Sequence, residues 1–260
     1  MSKRMIAILL VLLGTAKGAQ AAPDPQTILA QSDAVRNPGQ PFSLTTTLIE
    51  YRSGKETASN TLQVYSKAAP NGGQYRSLVR FAAPARDANK LVLMNGHDMW
   101  FFDPGSNATI RISPQQRLLG EASDGDVVTV NFALDYKAVL AAEEDVQDGE
   151  RQMRHAYKLQ LAAVSPDVTY DHIEIWIDTQ NHRPIKSRFY AQSGDLLKTA
   201  YYRHYEAQLG AERPTEVVII DGLNASWVTV MRYSGYSWQD VPESWLQRDY
   251  LPHFAPEAAR

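Results

Sequence analysis

The chain is 260 residues long and nearly balanced in charge, with 26 Lys and Arg against 29 Asp and Glu, a formal charge of -3 and no cysteine. No cluster of cations is present to displace the counterions of a phosphate backbone, which argues against a nucleic-acid partner. Without cysteine there are no disulfides or thiolate metal sites, so stability has to come from burial, for which a chain of this length suffices.

Residues Met1 to Ala21 read as a secretory signal peptide. Ser2-Lys3-Arg4 is basic, Met5 to Leu13 is apolar but too short to span a bilayer, and Ala19-Gln20-Ala21 fits the small-x-small cleavage pattern. Cleavage after Ala21 would remove Lys3, Arg4 and Lys17 and no acid, taking the formal charge to about -6. The expected product is a single exported domain, residues 22–260, in a bacterial periplasm.

The first expected element is a helix over Pro25 to Arg36, with Ile28, Leu29 and Val35 on one side and Asn37-Pro38-Gly39 ending it. Strand texture follows at Phe42 to Tyr51, Thr57 to Ser66 and Gln74 to Phe81, broken by Ser53-Gly54-Lys55 and Asn71-Gly72-Gly73. Asn95-Gly96 marks a hairpin between "NKLVLMN" and "HDMWFFD", and Asp103-Pro104-Gly105 turns the chain into "TIRI". From about residue 113 to 148 the strand pattern stops. Ser113-Pro114 followed by "QQRLLG", and then "DYKAVLAAEED", suggest a helical insertion that could act as a lid.

Strands resume at Arg154 to Val164, Asp171 to Asp178, Arg183 to Ala191, Leu196 to Glu206, Thr215 to Asp221 and Ala225 to Tyr233. Trp245, Leu246 and Tyr250 suggest a short C-terminal helix docked on the sheet. The expected fold is mainly β (α+β), a curved antiparallel sheet of about eleven strands forming an incomplete barrel, with helices covering the concave face. Leu91 to Met94, Met99 to Phe102 and Val217 to Ile220 are apolar on both strand faces, so part of this sheet must be covered twice.

Catalytic signatures are missing: the sequence holds no Gly-x-Ser-x-Gly, no phosphate-cradling glycine loop and no His-Glu-x-x-His. His97 and His182 fall in or beside turns, Asp124-Gly125-Asp126 reads as a solvated turn, and Glu143-Glu144-Asp145 as a polar helix end. Neither an enzyme nor a cofactor or metal site is expected. Arg76, Arg80, Arg111, Lys186, Arg188 and Arg232 lie within strands and read either as an outward face with snorkelling stems or as a basic rim for an anionic headgroup.

Three stretches carry a family resemblance. "LMNGHDMWFFDPGSNATIRIS", "LLGEASDGDVVTVNFALDY", and the strand Asp171 to Asp178 followed by "TQNHRPIKSRFY" resemble segments of the outer-membrane lipoprotein-sorting family, and the likeness extends over most of Pro41 to Tyr233. It implies the fold of the periplasmic lipoprotein carrier, LolA-like, with a hydrophobic cavity for acyl chains between sheet and helices. The N-terminal cysteine of the membrane-tethered receptor is lacking.

The expected function is therefore that of a periplasmic, non-catalytic carrier of a lipid or lipoprotein acyl group, with an inner-membrane exporter as a possible partner. The alternative is an envelope sensor or exporter accessory that binds a protein through the same fold. Leu29, Leu48, Met94, Trp100, Phe102, Leu118, Leu119, Phe132, Tyr136, Trp176 and Trp227 are the candidate cavity residues.

Overall fold

The computed structural model describes residues 23–255, so the signal peptide expected over Met1 to Ala21 lies outside the described residues. The first element of the described residues is α1 (Pro25–Arg36), started by Asp24, which accepts from the Thr27 amide at 3.0 Å, and by Pro25 in the first turn. Six antiparallel strands then follow in sequence: β1 (Phe42–Arg52), β2 (Lys55–Ala68), β3 (Tyr75–Ala83), β4 (Leu91–Asn95), β5 (Asp98–Asp103) and β6 (Ala108–Ile112). The connecting segment contains a small ribbon, β7 (Arg117–Leu119) with β8 (Ala122–Ser123), and one helical turn, α2 (Phe132–Asp135). Seven more strands complete the sheet: β9 (Tyr136–Gln147), β10 (Met153–Ala163), β11 (His172–Asp178), β12 (Pro184–Tyr190), β13 (Leu196–Gln208), β14 (Ala211–Asp221) and β15 (Trp227–Trp238).

The two meanders join through β1 and β15, which pair antiparallel with Leu48 opposite Met231. The result is one antiparallel sheet of thirteen strands in the order β6-β5-β4-β3-β2-β1-β15-β14-β13-β12-β11-β10-β9, with β6 and β9 as its edges. It is an open, curved sheet that does not close into a barrel. The face covered by α1 and residues 113–135, called the inner face below, carries the main core: Phe42, Leu48, Leu62, Val79, Leu159, Ile175 and Ile219, among others, are buried there together with Ile28 and Leu29 of α1.

The helical insertion expected at about 113–148 is corrected. Arg117–Leu119 is a strand, α2 is a single turn, and Tyr136–Gln147 is the edge strand β9. The run "DYKAVLAAEED" is rich in helix-forming Ala, Leu and Glu, but Tyr136, Ala138 and Leu140 alternate onto the inner core while the long ladder to β10 satisfies the backbone. Tertiary pairing overrides a weak local preference here. Glu143-Glu144-Asp145 thus belongs to a strand and not to a helix end.

Double coverage of β4 and β5 has a specific cause. Val92, Met94 and Met99 face the inner core, whereas Leu91, Leu93 and Phe102 face outward and are sealed by Val241, Leu246 and Leu251 of the C-terminal segment. That segment forms 3-10 turns at Glu243–Leu246 and Arg248–His253 where the sequence suggests a helix, and Pro252 lies within the second turn. Arg76 holds Glu243 in a fork at 2.7 and 3.1 Å and Lys67 adds a contact at 2.8 Å; hydrogen bonds from Arg76 first, then Lys67, pull that carboxyl down to about 2. Asn95 also donates to the Leu246 carbonyl at 3.0 Å.

Leu246 is fully buried between this segment and the outer sheet face. Leu246→Ala should cost about 2–3 kcal/mol, toward the low end for buried leucine because a terminal segment can settle into the gap. The check is a shift of the denaturant midpoint with an unchanged far-UV spectrum.

Candidate functional site

Between the inner face and its cover lie two adjoining cavities, of about 80 Å³ and about 100 Å³. Arg36, Asp126, Val128, Val130, Tyr202, Val217 and Tyr233 line both. α1 and the connecting segment form a single cover over them, since Gln26 donates to the Ala133 and Tyr136 carbonyls at 2.7 and 3.0 Å and Asn37 donates to the Val130 carbonyl at 2.8 Å.

The walls are apolar in the middle and carry charged groups at Arg36, at Lys198 with Asp126, and at Asp135. Arg36, in the last turn of α1, pairs with Asp33, donates to the Val130 carbonyl at 3.2 Å and lies 4.1 Å from the Phe132 ring centroid. Its Nε is buried without a hydrogen-bond partner among the described residues. Burial pushes the Asp33 carboxyl upward, against the pull of Arg36 and of the Ala133 amide, which donates to it at 2.7 Å.

The second charged point is Lys198 of β13, which pairs with Asp126, donates to the Glu121 carbonyl at 3.0 Å and lies 5.0 Å from the Tyr170 ring centroid. Asp126 is further held by the Tyr170 hydroxyl at 2.7 Å and by the amide and hydroxyl of Ser123 at 2.7 and 2.9 Å. Nearby Asp124 is buried and accepts no side-chain hydrogen bond from the described residues; burial first, then repulsion from Asp126, raises its carboxyl to about 7. The segment read as a solvated turn is therefore a buried closure, because the neutralising lysine comes from a strand more than seventy residues away.

Backbone shape adds to this closure. Gly120 has φ +54, and a Cβ there would stand 2.3 Å from the Thr229 hydroxyl, which accepts from the Glu121 amide at 2.7 Å. Tyr202 and Tyr233 rise from β13 and β15 into the cavities, and burial pushes both hydroxyls above the usual tyrosine range.

Of the candidate residues, Phe132 and Tyr136 line the first cavity. Leu29, Leu48 and Met94 are buried in the inner core, and Leu118 and Leu119 pack half-buried against it. Four aromatic expectations are corrected. Trp100 and Phe102 lie on the outer face beneath the C-terminal segment, with Arg248 4.7 Å from the Trp100 ring. Trp176 is buried on the outer face with Ala156 and Ile185, donates to Glu144 at 2.7 Å, and meets Lys158, Lys186 and Arg188 across its ring at 4.9, 4.7 and 5.5 Å. Trp227 is 38% exposed at the start of β15, with Arg52 4.3 Å from its ring.

The missed residues are Arg36, Val128, Lys198, Tyr202, Val217 and Tyr233. Val217 could have been found, since it shares parity with the core residue Ile219 on a strand already read as doubly apolar. The outward reading of the strand arginines agrees with the ion pairs of Arg76 to Glu243 and Arg232 to Glu216, at 2.7 and 2.8 Å.

Comparison with known proteins places this geometry in context. A family model described only as an uncharacterized protein matches residues 73–253. The chain is 32% identical to a LolA superfamily protein from Nitrosomonas europaea, with a TM-score of 0.78 over 88% of this chain and all of that one. A putative outer membrane lipoprotein-sorting protein domain from Vibrio parahaemolyticus shares the fold at 18% identity and TM-score 0.73, over 88% of this chain and 98% of that one. A DUF1329 family protein from Desulfovibrio piger does so at 20% identity and TM-score 0.74, over 88% and 100%. Among curated proteins, no match was found.

Proposed function

The chain belongs to the LolA superfamily, and on that premise we propose that it is a periplasmic, non-catalytic carrier that shields a lipid or lipoprotein acyl group between its inner sheet face and its cover. The observation that carries this reading is the unfilled space beneath α1 and residues 113–135, walled by Val128, Val130, Val217 and Met231, with Tyr202 and Tyr233 lining both cavities. Each methylene moved from water into such a site gains about 0.8 kcal/mol, so even a short length of chain is held without catalytic groups.

The cavities as they stand hold only part of an acyl chain. Loading a longer one requires α1 and the connecting segment, already tied to each other, to lift from the sheet. Arg36 and Lys198 bound the space already paired with Asp33 and Asp126, so what they offer the polar linkage of an amphiphile is a hydrogen-bond donor, the buried Nε of Arg36, and not net positive charge. An inner-membrane exporter as donor is part of the same proposal.

The test is native mass spectrometry of protein purified from its own envelope, in which a lipid adduct is expected. Val130→Trp, placed at a half-buried position that lines both cavities, should abolish the adduct with little change in thermal unfolding. Wild-type protein that carries no lipid, and takes none up from vesicles, would overturn the reading.

A further inference from the structure

A separate cavity of about 330 Å³ lies beside α1, between that helix, the turn at Gly39 and the start of α2. Its walls include Ala30 and Ala34 of α1, Tyr75, and Leu134, which is 44% exposed at the rim. Arg213 of β14 also lines it and is only 4% exposed. Two of its nitrogens are committed to carbonyl oxygens: Nε donates to Gln208 at 3.2 Å, and Nη1 to Ala34 and Val35 at 3.2 and 3.0 Å. Nη2 donates to no described residue.

Arg213 also has no carboxylate partner among the described residues. Glu206, opposite it in the β13–β14 register, is exposed and makes no ion pair with it. Asp33 lines the same cavity but is committed to Arg36 and the Ala133 amide. Burial pulls the guanidinium below the usual arginine range, with only Tyr236 and Tyr75 opposing. A buried cation without an anion is costly, and the α1 carbonyls answer it only in part. Compare Arg36, which has Asp33.

We propose that the groove formed by Arg213, Ala30, Ala34, Tyr75 and Leu134 is a second ligand site, which binds a small amphiphilic monocarboxylate with its carboxylate on Nη2 of Arg213 and its apolar part along the two alanines and Leu134. A monoanion matches the single free donor nitrogen. A phosphate dianion would be left half neutralised, with the Asp33 carboxylate on the same wall. The site is distinct from the hollow under the cover and stands whether or not that hollow carries lipid.

The test uses octanoate, with octanamide as the neutral isostere, titrated into ¹⁵N-labelled protein. Octanoate should bind about tenfold more tightly than octanamide, with amide shifts concentrated at Ala30, Ala34, Gly39 and Leu134. Ala34→Glu, at an exposed helix position, supplies the missing carboxylate in cis. It should remove the preference for octanoate without lowering the thermal midpoint, and Arg213→Lys, which keeps the charge but loses the fork, should weaken octanoate binding. Equal affinity for the two probes, shifts confined to Val128, Val130 and Tyr233, or an unchanged preference in Ala34→Glu would overturn the assignment.

Discussion

Lys198→Met should destabilise the protein by about 3–5 kcal/mol, the cost expected when one partner of a buried ion pair is removed and the other stays behind. Lys198 is 5% exposed, pairs with Asp126 and donates to the Glu121 carbonyl at 3.0 Å. Methionine fills a similar volume, so the loss reports charge more than packing. The abandoned Asp126 would still face Asp124 from within the closure. Combining Lys198→Met with Asp126→Asn should recover a good part of the loss, because the uncompensated charge is then gone, and a double-mutant cycle from urea unfolding measures it. If the double variant is as unstable as the single, shape and not charge is what Lys198 supplies.

The residues involved in this prediction show where sequence reading stops. Single-element features were legible. Pro25 to Arg36 is the helix its apolar spacing and stop signal indicate, Asn95-Gly96 joins β4 to β5 with Gly96 at φ +63, and Ile173, Ile175 and Ile177 share the inner face as their alternation requires. The open antiparallel sheet follows from the same signals, although it has thirteen strands where the spacing suggests about eleven.

Features that depend on partners distant in the chain were not legible. Nothing local in "SDGD" announces burial, since its counter-charge is on β13 and a second hydroxyl donor, beside Ser123, is the distant Tyr170. The strand parity of Trp100 and Phe102 was readable, but which side was inner was decided by where the C-terminal segment docks. Trp176 looked like a lining residue by size alone. It is instead the aromatic floor for three cations on the outer face, which a strand with isoleucines on its other side leaves free to form.

Charge at the edge of an apolar hollow has a physical consequence for how the hollow is closed. A purely apolar cavity of this size would gain nothing from Arg36 or Lys198, both of which are costly to bury. Placed where they are, they tie the closure together: Arg36 joins α1 to the Val130 carbonyl within the cover, and Lys198 holds the cover to the sheet by reaching Glu121 and Asp126 from β13. Closure of the hollow therefore depends on a few polar links, and weakening any of them loosens the cover before it unfolds the sheet.

Asp124→Asn should make the protein more stable at alkaline pH and flatten the dependence of stability on pH. In the folded protein the Asp124 carboxyl is raised from 3.8 to about 7, by burial and then by the neighbouring Asp126. Its proton is thus held more tightly folded than unfolded. The associated stability is fully present below pH about 4 and is lost as pH rises toward and through about 7. A separation of about three units corresponds to about 4 kcal/mol at full ionisation. The asparagine variant, unable to ionise, should therefore exceed wild type by up to that amount near pH 8 and differ little from it near pH 4. Guanidinium unfolding at four or five pH values checks this directly, with Asp195→Asn, at an exposed turn position, as a control that should follow the wild-type profile. An unchanged slope between pH 5 and 8 in Asp124→Asn would mean that this carboxyl does not titrate in the folded protein as its burial requires. Because Asp124 sits in the closure that Lys198 and Tyr170 complete, the same titration should loosen the cover in wild type: amide exchange at residues 120–128 should accelerate above pH 7 beyond the intrinsic base catalysis, and the asparagine variant should lack that excess.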